Sequence, residues 1–399
     1  MSHRRSGRIT DLRRYEPLAL VGGIWLIAKL LRYAFPVLFP TFRASLDVPN
    51  AWLGGAYTGM MLLYAAVQFP SGALADTLDD VEVVALGAVI AGIGGLVFFL
   101  PTTFPLLVVG MLLVGLGTGV HKTVSVGLLA RLYPGRTGRA LGAFDTLGTV
   151  GGVIAPVAVV SALSTTGWPP LFVGIGLAAI AFAVTLSMRV PHQEPSAGGY
   201  SAAIGDLELR SYLGPFRERR FQLFIAVTLC FAFAYNGVVA FLPLFLVEAG
   251  TTETSASILY SALFAVSVVQ VVTGDLSDRV GRLTLSVGVL AVAAVALGGL
   301  VVVSGGGVLF LGGAVVLFGL GSHGFRPLRG AYLATEFPDE VAGGGLGLAR
   351  TMLMGVGAIA PSVVGVIADT AGFRVAFVML AVAMGLAAVL AVITALVDR

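Results

Sequence analysis

The sequence predicts an all-α membrane protein with twelve transmembrane helices arranged in two pseudo-symmetric halves of six. Three observations lead there. Of the 399 residues, 57% are hydrophobic and only 11% charged, with a mean hydropathy of +0.96, so charges are too few to coat a water-soluble globule. Twelve runs of mostly apolar residues reach the roughly 20-residue length that spans the hydrocarbon core as helix. The second six runs also repeat features of the first six at a nearly constant offset. None of the runs alternates as a barrel strand would, and within lipid only helices and closed barrels satisfy every backbone polar group.

Residues 1–17 form a basic tail with Arg4, Arg5, Arg8, Arg13 and Arg14. A signal peptide also starts with such a region, but the apolar run at 18–41 is too long, carries Lys29 and Arg32, and lacks a small-residue cleavage site. It is therefore the first membrane helix. Five more spans, near 52–74, 83–100, 104–130, 140–163 and 168–188, complete a first half over 18–188. Small residues such as those from Gly110 to Gly119 let neighbouring backbones approach closely in lipid, which gives the 54 glycines a use. The longest polar stretch, 189–220, contains Pro191, Pro195, Gly198 and Gly199 and reads as a linker. Spans near 221–247, 255–275, 284–303, 308–332, 344–368 and 373–396 make a second half over 221–397. Its Cys230 is the single cysteine, so an internal disulfide is impossible, and a free thiol is ordinary in an apolar helix.

Seventeen of the 24 Lys and Arg residues fall on one side of the alternating topology, and only Arg43 and Arg374 fall on the other. The positive-inside rule then predicts a plasma or inner membrane protein with both termini and the 189–220 linker in the cytoplasm. The net charge of +3 reflects this topology and gives no sign of a nucleic-acid partner.

The internal repeat is specific. Gln68-Phe-Pro-Ser-Gly72 and Asp76 match Gln270-Val-Val-Thr-Gly274 and Asp278 at an offset of 202. Gly115-Leu-Gly117, Lys122 and Pro134 match Gly319-Leu-Gly321, Arg326 and Pro338 at 204, and Ala155-Pro156 matches Ala360-Pro361 at 205. Equal orientation of the two copies is a parallel repeat about an axis along the membrane normal.

Gly274-Asp-Leu-Ser-Asp278-Arg279-Val-Gly281-Arg282 resembles the signature of the major facilitator superfamily: a glycine, an aspartate-arginine pair and a glycine-arginine pair. With the six-plus-six topology, the resemblance covers about 18–396. It implies the superfamily's fold, transport by alternating access, a cavity lined by spans one, four, seven and ten, and a cytoplasmic gate at Gly274, Asp278, Arg279, Gly281 and Arg282. The first copy, Gly72 to Asp80, keeps the glycine and Asp76 but ends in acids, Asp79 and Asp80, in place of the glycine-arginine pair. A plainer reading remains beside the gate: a glycine turn closing two helices, with its charges in water. The fifth-helix pattern associated with antiporters is incomplete, since Gly142, Gly151 and Pro156 are present but Ala155 and Val159-Val160 replace its other glycines.

An ionised group at mid-membrane costs roughly 2.5–3.5 kcal/mol or more, so those present need a reason. Away from their ends the spans hold five cations, Lys29, Arg32, Lys122, Arg326 and Arg350, against one acid, Asp145. Lys29 and Arg32 lie three residues apart on one helical face near mid-span, and at the 204 offset Arg32 corresponds to Asn236. Gln68 and Gln270 form a further polar pair. A guanidinium offers a planar fork of donors suited to a carboxylate, nitrate or phosphate group. Snorkelling of Arg32 or Lys29, and helix-to-helix bonding by Asn236 and the glutamines, are the alternatives to substrate binding. Lys122 and Asp145 fall at similar depth and are expected to pair, or else Asp145 carries a coupling proton; Arg326 and Arg350 have no matching acid. His121 and His323 lie nearby as packing or titrating groups.

These features predict a secondary active transporter with a positively charged cavity for a small organic or inorganic anion, driven by a proton or other ion gradient or by exchange. An exporter of hydrophobic, drug-like compounds is the alternative, which the incomplete antiporter pattern disfavours. A non-transporting sensor has no added signalling domain behind it. A membrane enzyme would need a nucleophile and base or a metal cluster at membrane depth, and four histidines, one cysteine and one intramembrane acid supply neither. The expected partners are the bilayer, the substrate and a coupling ion. The chain is expected to act as a monomer without cofactor or metal.

Overall fold

In the computed structural model of the chain, residues 15–75, 78–191, 214–336 and 342–397 are described, and no described residue lies in a strand. Helix α1 (Glu16–Leu46) extends beyond the expected 18–41 and holds Pro36 and Pro40 inside it. The second expected span is broken at Val67 into α2 (Asn50–Ala66) and α3 (Gln68–Ala75). Pro70 accounts for the break: it has no N–H for the carbonyl of Ala66, and its ring crowds that turn. Then follow α4 (Asp80–Leu96), α5 (Phe104–Leu132), α6 (Thr137–Leu163) and α7 (Trp168–Arg189). Proline in the first turn of α5 and of α7 sits where the backbone N–H has no intrahelical acceptor.

Beyond the linker come α8 (Arg219–Glu248) and α9 (Glu253–Ala265), which runs through a short 3-10 turn at Val266–Val268 into α10 (Val269–Val280). At the 202 offset Val272 stands where the first half has Pro70, and here the apolar span continues over Glu253–Val280. The chain ends with α11 (Arg282–Val302), α12 (Val308–Thr335), α13 (Ala342–Ala371) and α14 (Phe373–Val397). Thr252 caps α9, its hydroxyl oxygen accepting the Ser255 N–H at 3.1 Å. Among the described residues eleven helices are long and apolar enough to cross a membrane, and α2 with α3 forms the twelfth expected span in two pieces.

Contacts group the chain into two units: Met1–Tyr33 with Ala66–Ile204, and Ala34–Ala65 with Gly205–Arg399. Helix α1 thus changes unit after Tyr33, and α2 belongs almost wholly to the second unit. In the first unit Gly87 of α4 lies against α5, where a Cβ would come 2.7 Å from the Gly117 carbonyl oxygen. In the second, Gly321 of α12 lies against α11, and a Cβ there would come 2.7 Å from the Ala293 nitrogen. Gly117 and Gly321 correspond in the repeat, so the matching glycines meet one packing requirement twice. Trp25, Leu128, Leu129 and Phe144 are buried together in the first unit. In the second, Phe245 stacks on Phe377 at 3.9 Å, and Phe39 and Phe241 have ring centroids 5.2 Å apart.

Candidate functional site

Each unit carries a cationic cluster. In the first, α1 presents Trp25, Lys29 and Tyr33 at four-residue spacing, so they share a face. The Lys29 ammonium donates to the Tyr33 hydroxyl at 3.1 Å and lies 4.9 Å from the centre of the Trp25 ring. Arg32, one position earlier than Tyr33, is 4% exposed, so its guanidinium is held within the protein. Helix α5 brings Lys122 to the same tryptophan: its Nζ lies 4.5 Å from the rings of Trp25 and Phe144, and 2.7 Å from Asp145 Oδ1 of α6. Two ammonium groups thus share one indole, whose quadrupole attracts both. Trp25 and Phe144 stack at 5.7 Å and 18°. His121, fully buried, bonds Ser125 Oγ through Nδ1 at 2.9 Å and lies 5.9 Å from Trp25. Gln68, at the break after α2, accepts from Thr123 Oγ1 at 3.4 Å, tying α3 to α5.

In the second unit, Arg326 of α12 lies over Tyr235 of α8 at 5.0 Å, with Nη1 3.4 Å from His323 Nδ1. Arg329, one turn on, lies 5.7 Å from the Phe231 ring and within electrostatic reach of Arg326 and of Arg350 on α13. Asn236 donates its amide to its own helix, to the Ala232 carbonyl at 2.8 Å, and packs against Gly357 of α13. Gln270 is half-buried at the start of α10.

Sequence reasoning passed over Trp25 and Arg329. Both carried a signal: Trp25 stands four residues before Lys29, and Arg329 three after Arg326, which on a helix means a shared face. Arg329 lies near the end of its span, where a basic residue reads as setting topology.

The turn between α10 and α11 holds the signature residues. Gly281 has φ +94°, a conformation in which a Cβ is strained, and lets α11 start as α10 ends. A Cβ on Gly274 would meet nothing within 4 Å, so close packing does not demand that glycine. Arg282 donates to the Ala331 carbonyl at 3.2 Å and to Thr335 Oγ1 at 3.3 Å, reaching the end of α12. Arg279 instead pairs with Asp275 on its own helix at 2.9 Å. Asp278 lines a cavity of about 400 Å³ with Arg220, Arg282 and Tyr332. In the first copy Asp76 lies outside the described residues, but Asp80 forms an ion pair with Arg131 at the end of α5. Asp80 corresponds to Arg282, and Arg131 to Thr335. Corresponding positions therefore tie the two helices in both copies, by an ion pair in the first and by hydrogen bonds to neutral groups in the second.

At the far end of the second unit, the Asp369 carboxylate of α13 accepts from Asn50 N, Asn50 Nδ2 and Ala51 N at 3.0, 2.7 and 2.7 Å, capping the first turn of α2. Ser362 N donates to Thr58 Oγ1 at 3.0 Å, and Arg43 pairs with Glu248.

The profile of the Major Facilitator Superfamily matches residues 23–325. A protein of Cupriavidus necator named "Probable sulfoacetate transporter SauU" is 25% identical over 297 residues, which cover 69% of each chain. A "Probable hexose phosphate transport protein" of Chlamydia trachomatis is 29% identical over 138 residues, covering 34% of this chain and 30% of that one. Among solved structures, an inward-facing bacterial homolog of the human lysosomal transporter Spinster matches with a TM-score of 0.80 at 16% identity, covering 96% of this chain and 97% of the other. A POT family transporter matches with a TM-score of 0.73 at 15% identity. At such identities the likeness speaks for the fold alone. The profile match extends over most of the chain, and on that ground the protein belongs to the Major Facilitator Superfamily, as a multi-pass membrane transport protein.

Proposed function

We propose that the protein is a secondary active transporter that moves a small organic or inorganic anion by alternating access, coupled to a proton or other ion or working by exchange. The observation that carries this reading is the charge of the two clusters. Lys29, Arg32 and Lys122 stand with one carboxylate, Asp145, in the first unit, and Arg326 and Arg350 each stand in electrostatic reach of Arg329 in the second. Holding so many cations at membrane depth is costly unless an anion completes the site. The relatives named for sulfoacetate and hexose phosphate support an anionic cargo. In this reading Arg32 and Lys29 bind the substrate's charge in the first unit, and Arg326 and Arg350 do so in the second. Gln68 and Gln270 add polar contacts, and Asn236 acts through α13. The halves 18–188 and 221–397, joined by the 189–220 linker, are the moving parts of a monomer in the cell membrane with both termini cytoplasmic. The turn from Gly274 to Arg282 then serves as a cytoplasmic gate, as does its first copy around Asp76.

The test is uptake of radiolabelled sulfoacetate, malonate and phosphate into proteoliposomes under imposed ion gradients. Arg32→Lys keeps the charge but loses the planar fork, so uptake falls at least about tenfold while insertion and purification stay normal. Unchanged anion uptake by Arg32→Ala, or dye efflux with no anion uptake by the native chain, defeats the proposal.

A further inference from the structure

The arginines of the second unit are built into more than a positive patch. Phe231 and Tyr235 lie four residues apart on α8 and stack at 5.7 Å and 16°. Arg326 and Arg329 lie three residues apart on α12, and each guanidinium rests over one of these rings, Arg326 over Tyr235 and Arg329 over Phe231. The pairing runs antiparallel, the later arginine meeting the earlier ring. An aromatic face occupies the flat side of a guanidinium and leaves its edge of N–H donors directed elsewhere. Two guanidiniums backed by stacked rings, that of Arg326 also 3.4 Å from His323 Nδ1, are thus preorganised for oxyanion groups. Arg350 adds a third positive charge within reach of Arg329. A basic residue that only sets topology would extend into water, whereas Arg329 lies against Phe231, itself 2% exposed.

Resting on the anion-transport reading, we infer that Arg329 is a substrate-binding residue and that the aromatic-backed pair Arg326–Arg329, with Arg350, selects substrates carrying two negative charges over those carrying one. Like charges gathered in one place repel one another. A monoanion offsets one of them and occupies one fork. A dianion offsets two and gives both forks an acceptor, so the site gains more from it than from a monoanion of similar size.

The experiment measures ligand-dependent shifts in the unfolding midpoint of the purified full chain, titrated with two matched pairs: acetate against malonate, and methanesulfonate against sulfoacetate. The dianion of each pair binds the native protein about tenfold more tightly or better, the factor that one charge-assisted hydrogen bond carries. In Arg329→Gln that preference shrinks to within about twofold. A single cooperative unfolding transition and an unchanged gel-filtration profile, both measured without ligand, show that the variant is folded. Phe231→Leu, which removes the backing ring and keeps all three arginines, also reduces the preference, and it decides the matter should Arg329→Gln not fold. Equal binding of monoanions and dianions by the native chain overturns this inference and leaves the anion reading standing. A preference kept intact in both variants removes Arg329 from the site. Binding of none of the four probes counts against the anion reading itself.

Discussion

Neutralising Lys122 and neutralising Asp145 should have unequal consequences, although the two form one ion pair. The Lys122 side chain is 11% exposed and that of Asp145 is 69% exposed, with 2.7 Å between Nζ and Oδ1. Asp145→Asn leaves an ammonium in a mostly dry site. Breaking a fully buried pair from that side costs roughly 3–5 kcal/mol, and the exposure of Asp145 lowers this to about 1–3 kcal/mol, the Trp25 and Phe144 faces holding the ammonium equally before and after. Lys122→Met leaves a carboxylate that its surroundings reach, so the loss is that of an exposed pair, about 0–1 kcal/mol. Unfolding midpoints of the purified variants rank native and Lys122→Met close together, with Asp145→Asn below both. Lys122→Met as the less stable variant, or a neutral Asp145→Asn, refutes the reasoning. Proteoliposomes carrying both substitutions then separate structure from coupling. Robust uphill accumulation excludes Asp145 as the obligatory proton carrier, and intact exchange without accumulation excludes a purely structural pair.

Asp369→Ala removes the acceptor of three hydrogen bonds at the start of α2, a lost cap worth about 0.5–2 kcal/mol plus about 0.3–1 kcal/mol from the helix dipole. A single cysteine at Thr58, with Cys230 replaced by serine, should then react several times faster with a thiol reagent (about fivefold per kcal/mol), and Asp369→Asn, which keeps one acceptor, should fall between. An unchanged rate rules out Asp369 as the tie between α2 and α13. Asp80→Arg restores the basic residue that the family signature has at this position, yet it should lower the unfolding midpoint because Arg131 then faces a like charge. Adding Arg131→Thr copies the Arg282–Thr335 contact and should recover most of the loss. A single variant as stable as the native chain contradicts that account.

The spans and the family were legible in the sequence because both rest on local or repeating information. A run long enough to cross lipid, an excess of arginine on one side and glycines recurring at a 202–205 offset need no knowledge of which side chains meet. The break between α2 and α3 was also within reach, since Pro70 sits in the run, but a hydropathy window averages across it. The candidate site was legible in part. Charge at membrane depth singled out Lys29, Arg32, Lys122, Asp145, Arg326 and Arg350 by cost alone. That criterion passes over aromatic residues and cations near span ends, which is why Trp25 and Arg329 went unnoticed.

What the sequence determined by itself was the order of the apolar spans and the cost of the charges they carry. Tertiary structure decided the partners. Asn236 turned to its own helix at Ala232, Asp369 reached across to the α2 N-terminus from 319 residues away, and Asp80, a departure from the family pattern, found Arg131. The physical reason is that burial of apolar length is additive along a helix and can be read residue by residue. An ion pair, a cap or a guanidinium resting on a ring depends on distance and direction between groups that only the packed helices bring together.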